Sequence, residues 1–123
     1  MQVRVAEGMF NPGLLGKDGK GIHQLVHESI NACDKNIRAE LCRVTLCGGS
    51  SLFPGLHERL GSEVKGLMDP GFNVDICADA NRQFSSVFGG SIVSNLSSFD
   101  GMWVTQEEWT ESGATAIAQK CFR

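Results

Sequence analysis

The sequence predicts an α/β fold with two parallel core strands and flanking helices, on three observations. Apolar and small residues recur at helical spacing in Ile22, Leu25, Val26, Ser29, Ile30 and Cys33, and again in Leu56, Leu60, Val64 and Leu67, so each segment turns one face inward. Two short stretches have the character of strands. Residues 44–47 are apolar and too few for a helix, while in 73–78 Val74, Ile76 and Ala78 alternate with Asn73, Asp75 and Cys77. The second helical pattern lies between these stretches, which is the order of a β-α-β unit with parallel strands and a right-handed crossover.

The elements follow in order. Residues up to Phe10 read as a short helix or turn, stopped by Asn11-Pro12-Gly13. A glycine-rich loop carrying Lys17, Asp18 and Lys20 leads to the helix over 22–33. Asp34 can cap a second helix whose Ile37, Leu41 and Val44 share a face. The strand over 44–47 reads as buried on both sides. Pro54 stands near the next helix start, where its missing N–H costs nothing, and the helix is expected over 54–68. Asp69-Pro70-Gly71 is a turn before the second strand, and 79–83 a polar loop after it. Ser85 or Ser86 can cap a helix presenting Phe88, Ile92, Leu96 and Phe99, with at least half of that stripe expected in the core. Thr105-Gln106-Glu107-Glu108 is a capping box opening a last short helix, which Gly113 ends.

The chain has 123 residues, enough for one domain, with 41% hydrophobic and 20% charged residues. A net charge of −3 gives no basic face for nucleic acid, and no apolar run reaches the ~18 residues of a membrane span. Cys33, Cys42, Cys47, Cys77 and Cys121 are an odd set without a C-x-x-C pair. That usage suits a reducing compartment, cytosol or nucleus, with cysteine as a small packed hydrophobe.

The candidate chemistry is sparse. Gly48-Gly49 follows the first strand, where a glycine pair lets backbone N–H groups approach a phosphate or ribose. Taken blind, such a pair is most often a tight turn. His23 and His27 stand one helical turn apart as in a zinc motif, but Gln24 replaces the glutamate base and no third ligand is evident, so no metal is assigned. No catalytic triad assembles. Glu107, Glu108 and Glu111 read as a solvated helix face.

Four motifs in order change the reading: Cys47-Gly48-Gly49-Ser50-Ser51-Leu52-Phe53-Pro54-Gly55, Phe88-Gly89-Gly90-Ser91-Ile92-Val93, Glu111-Ser112-Gly113 and Lys120-Cys121-Phe122. Together they resemble the C-terminal third of actin and the actin-related proteins, from about Arg4 to Phe122. The resemblance implies a partial actin-like ATPase fold of the ribonuclease H-like kind, whose sheet is completed by strands from earlier in the chain. Met1 is then expected to start a truncated product or an incomplete gene reading, and the isolated segment to expose apolar surface or associate. It further implies that residues 1–84 belong to the nucleotide-binding part of the large lobe, and 85–123 to a helical segment that packs on the neighbouring subdomain.

By position, the resemblance implies that Gly48, Gly49 and Ser50 touch ribose and phosphate, with Leu52 and Phe53 flanking adenine. Most actins have tyrosine where Phe53 stands, which keeps stacking and loses a hydroxyl. Where the family usually has lysine beside the base, this chain has Gln83, in Arg82-Gln83-Phe84, implying weaker or altered nucleotide affinity or a neutral surface change. Phe88, Ile92, Val93, Leu96, Ser98 and Met102 are implied to line a hydrophobic groove for partner helices and the next subunit. The implied cofactor is ATP or ADP with Mg2+ in the intact protein, not bound tightly by this segment alone, and the residues that activate water lie outside it. The expected role is an ATP-binding subunit of cytoplasmic, cytoskeletal filaments that self-associates and meets actin-binding proteins, with no direct nucleic acid or membrane partner. The alternative is an actin-related scaffold in a chromatin-remodelling or dynein-activator complex, with a nuclear location open to it. A small-molecule kinase of the same superfold is the third reading, against which the terminal motifs speak.

Overall fold

In the computed structural model, residues 2–121 are described, with side-chain surroundings given for 6–120. Phe122 of the terminal motif therefore lies outside the described residues. The chain forms two compact units, Met1–Ser85 and Ser86–Arg123.

In the first unit, α1 (Gln2–Phe10) is closed by the Asn11 N–H on the Glu7 carbonyl at 2.8 Å, and a 3-10 turn over Pro12–Leu15 follows. Helix α2 (Ile22–Ala32) opens at Gly21, whose N–H is accepted by the Gln24 side chain at 3.0 Å. A Cβ on Gly21 would collide with the Phe10 carbonyl, so glycine is what lets the end of α1 meet the start of α2. The expected second helix is a single turn, α3 (Arg38–Leu41). Asp34 accepts from the Asn36 N–H at 3.0 Å in the preceding turn rather than capping a helix. Arg38 reaches back to the carbonyls of Asn31, at 2.6 Å, and Cys33, at 3.0 Å, closing the C-terminus of α2. Ile37 and Leu41 are exposed, and Val44 belongs to the next strand. The shared face expected for these three does not exist, because the chain turns into the sheet after Cys42.

Strands β1 (Arg43–Thr45) and β2 (Asp75–Cys77) pair in parallel, with Val44 opposite Ile76. Helix α4 (Leu56–Leu67) connects them and packs on β2 and α2. The adjacent parallel pair expected from the sequence is present, with shorter strands. Leu46, Leu56, Leu60, Val64 and Phe10 form the buried cluster, flanked by Met9, Ile22, Val26, Met68, Val74, Ile76 and Ala78. The alternation of 73–78 thus holds, with Val74, Ile76 and Ala78 on the α4 side. The expectation of a first strand buried on both faces does not hold. Arg43, Thr45 and Asp75 are exposed, and Arg43 pairs with Asp75 at 3.8 Å and donates to the Cys77 thiol at 3.4 Å. Period-2 alternation permits this, because one face can be covered while the other carries charge. Leu67, expected on the buried stripe of α4, is exposed, since it sits on the last turn beyond the sheet's cover. Of the cysteines, Cys42 is buried, Cys33 and Cys77 half-buried and Cys47 exposed, all four as free thiols. The reading of cysteine as packed hydrophobe fails at Cys47, which leaves β1 on the exposed face.

The second unit holds α5 (Ser85–Ser94, starting on the boundary residue), a 3-10 stretch over Ser97–Met102, α6 (Gln106–Ser112) and α7 (Ala114–Cys121). The capping box is present: Thr105 Oγ1 accepts the Glu108 N–H at 3.2 Å, and the Glu108 carboxylate accepts the Thr105 N–H at 2.9 Å. Gly113, at φ 53, ends α6, and the chain restarts as α7, a helix the sequence reading missed. Phe88, Ile92 and Leu96 are all exposed, at 59%, 65% and 51%, against the expectation that at least half of them are core and in line with a segment that leaves apolar surface open. Phe88 and Ile92 lie on α5, but the helix ends at Ser94, so Leu96 stands beyond it at the start of the 3-10 stretch and the expected stripe is shorter. Phe99 is separated from it in the 3-10 stretch, edge-on to Trp103 at 5.1 Å.

Glu108 is also no free member of an acidic face. Lys120 donates to its carboxylate at 2.7 Å and to the Trp103 carbonyl, tying α7 to α6 and to the segment before it. The Lys120 ammonium and then the Thr105 N–H hold the Glu108 carboxyl below the ordinary 4.5. A carboxyl with a lowered folded-state pKa contributes stability above its unfolded value and loses it as pH falls through the folded one. The melting gap between the wild type and Glu108→Gln should therefore be open at pH 7 and narrow as pH falls below the ordinary carboxylate range. A gap that keeps its size in acid in thermal melts would remove the ion pair as its cause.

Candidate functional site

The chain leaves both strands at their carboxyl ends, the side on which open α/β sheets bind ligands. After β1, Gly48 adopts φ 86 and ψ 161, and a 3-10 turn over Gly49–Leu52 begins. Only glycine takes that conformation without strain, so Gly48 is a backbone requirement. After β2, a loop from Asp79 leads to a second 3-10 turn, Arg82–Phe84, which packs on the first.

Arg82 joins the two loops. Its guanidinium donates from Nε to the Ser51 hydroxyl at 3.1 Å, from Nη2 to the Ser51 carbonyl at 3.0 Å, and from Nη1 to the Asp79 carbonyl at 2.8 Å. Its carbonyl accepts the Gly48 N–H at 2.9 Å. The Ser51 hydroxyl donates to the Gly48 carbonyl at 2.6 Å, and Ser51 is the buried polar residue among those described. Every polar group of this hub has a partner, as burial demands. Sequence reading quoted Arg82 but gave it no role. Its only signal in the sequence is an arginine in the polar loop after the second strand, and its partner lies 31 residues away.

The arrangement sorts the N–H donors of the loop. Gly48 spends its own on Arg82, and Ser51 donates to the Gly48 carbonyl at 3.1 Å. Gly49 and Ser50 are the first residues of the turn, ahead of its first internal hydrogen bond, and both are exposed. Their N–H groups are the ones left for an anion. A Cβ on Gly49 would meet open space.

Of the candidate nucleotide residues, the structure brings Gly48, Gly49, Ser50 and Gln83 together through the packed turns, with Gln83 exposed. Leu52 and Phe53 are also partly exposed, at 38% and 37%. Phe53 is one wall of an open cavity of about 630 Å3, with Ala6, Phe10, Pro54 and Leu56, while Leu52 is not on its lining. At the rim Arg59 bonds Glu7 at 3.1 Å and Glu63 at 2.7 Å, its guanidinium 5.1 Å from the Phe10 ring centre.

His23 and His27 are not brought to a common ligand. His27 Nε2 meets the Asn31 amide at 2.8 Å, and the His23 ring lies 5.7 Å from Phe10, its buried Nδ1 without a partner among the described residues. No group of three His, Cys, Asp or Glu side chains among the described residues could hold a metal ion. No serine or cysteine side chain is hydrogen-bonded to a histidine among them either. The candidate groove residues Phe88, Ile92, Val93, Leu96, Ser98 and Met102 all lie in the second unit and all are exposed.

The family model described as Actin matches residues 1–122. The chain belongs to the actin family. Two parallel strands with flanking helices are compatible with part of an actin-like fold. No helix of eighteen or more residues among those described is apolar enough to cross a membrane.

Proposed function

We propose that this actin-family chain is the C-terminal segment of an ATP-binding, filament-forming protein, and that its first unit supplies one wall of the nucleotide site. The observation that carries this reading is the paired loop at the carboxyl ends of β1 and β2, with Gly49 and Ser50 N–H groups that have no partner among the described residues and with Gln83 on the adjoining turn. These donors suit ribose or phosphate oxygen, and the Phe53 ring suits a purine. The described residues fit ATP in part only. The Mg2+ that accompanies it would be held by phosphate oxygens and by groups from other segments, as would the water that attacks it. A ribonuclease H-like sheet completed by other strands belongs to the same reading.

The exposed residues Phe88, Ile92, Val93, Leu96, Ser98 and Met102 would receive partner helices or the next subunit, in keeping with a role in the cytoskeleton. A static scaffold role in a chromatin-remodelling or dynein-activator complex is the second reading, favoured by Gln83 at the position where the resemblance implies a lysine beside the base. Neither role needs chemistry from this segment.

An incomplete site lacks the charge-assisted contacts that grip a triphosphate. Calorimetry on the isolated chain should therefore show ATP affinity no better than about millimolar, or roughly −4 kcal/mol, and no hydrolysis. Micromolar affinity would overturn the single-wall reading. In the full-length protein, Gln83→Lys should tighten ATP binding about three- to tenfold at low salt, with the gain shrinking as salt is raised. An unchanged affinity at low salt would place Gln83 away from the nucleotide.

A further inference from the structure

We infer that Arg82 is a positioning residue: by clasping Ser51 and Gly48 it sets the shape of the loop after β1 and so selects the Gly49 and Ser50 N–H groups as its anion donors. The inference rests on the nucleotide reading for its ligand, though not for the shape of the loop. Three guanidinium nitrogens reach three acceptors in two loops, the Ser51 hydroxyl, the Ser51 carbonyl and the Asp79 carbonyl. A planar fork with fixed donor directions is suited to this, and a lysine ammonium cannot span the same set.

The backbone half of the clasp matters as much. The Gly48 N–H directly precedes these two and would otherwise compete for an anion, but the Arg82 carbonyl takes it at 2.9 Å. The Ser51 hydroxyl, held between Arg82 Nε at 3.1 Å and the Gly48 carbonyl at 2.6 Å, fixes the far end of the turn. With both ends tied, the first turn exposes two successive N–H groups that precede its internal bonding. Gln83 follows Arg82 directly, so the same residue also places the side chain expected beside the base. Arg82 therefore acts on the ligand through the loop without touching it.

Two readouts on the full-length protein test this. The first needs no nucleotide: hydrogen exchange by mass spectrometry of a peptide covering 46–53. Losing charge-assisted bonds from one guanidinium should speed exchange there about tenfold or more in Arg82→Ala, while a peptide covering the Leu60–Val64 core stays unchanged. The second is binding of etheno-ATP. Arg82→Ala should weaken it about tenfold or more, Arg82→Lys should recover only part of the loss, and free guanidinium ion should restore Arg82→Ala but not Gly49→Val. A role confined to stability would lower the melting temperature without rescue of binding by guanidinium. Exchange over 46–53 that matches the wild type in Arg82→Ala would overturn the inference, whatever the nucleotide result. If the wild type failed to bind etheno-ATP while Arg82→Ala still freed the loop, the nucleotide reading would fall and the assignment of loop shape to Arg82 would stand.

Discussion

Gly49→Val in the full-length protein should abolish measurable ATP binding while leaving the melting temperature nearly unchanged. The Gly49 Cβ position faces open space, and Gly49 is not among the glycines with positive φ, so valine enters without collision or strain. On the nucleotide reading, the added side chain crowds the Gly49 and Ser50 N–H groups that would receive a phosphate. Hydrogen bonds to a charged phosphate contribute about 1.5–3 kcal/mol each, so loss of two corresponds to more than about a hundredfold in affinity. Gly48→Ala makes the contrast. Gly48 holds φ 86 and ψ 161, and a side chain there costs about 1–3 kcal/mol of backbone strain, which should appear in the melting temperature first. Fluorescence titration and thermal melts of the two variants separate the effects. A Gly49→Val protein that bound ATP normally would remove this loop from the nucleotide site.

Leu60→Ala should be the most damaging single truncation in the first unit. Leu60 is 1% exposed and sits in the cluster with Phe10, Leu46, Leu56 and Val64. Truncating a buried leucine loses transfer free energy and leaves a cavity, together about 2–5 kcal/mol. Against a total of roughly 5–15 kcal/mol for a folded domain, that is a large share, and it should lower the melting temperature by more than about 10 °C. Leu67→Ala, seven residues along the same helix but 41% exposed, should cost less than about 1 kcal/mol. Equal losses for the two would mean that the end of α4 is covered by something outside the described residues.

These two leucines show how far the sequence alone reaches. Leu56, Leu60, Val64 and Leu67 follow one helical period, and the period is silent on where the neighbouring sheet ends. The same holds for Phe88, Ile92 and Leu96, whose spacing makes an apolar stripe but cannot say whether another element covers it. At the candidate loop, the glycine pair was legible as a turn leaving a strand. What distinguishes the two glycines was not: Gly48 has positive φ, whereas a Cβ on Gly49 would meet open space.

What the sequence by itself determined was local. Val74, Ile76 and Ala78 against Asn73, Asp75 and Cys77 decided a strand with one apolar face, and Thr105 with Glu108 decided a capping box, because each signal spans a few residues and is read by the backbone that carries it. Only the tertiary structure decided that Arg82 closes the loop holding Ser51, 31 residues away, and that Lys120 takes Glu108 out of an acidic face from 12 residues away. Such contacts leave no periodic trace, since they form only where packing brings the partners within hydrogen-bond reach, and that depends on the whole path of the chain between them.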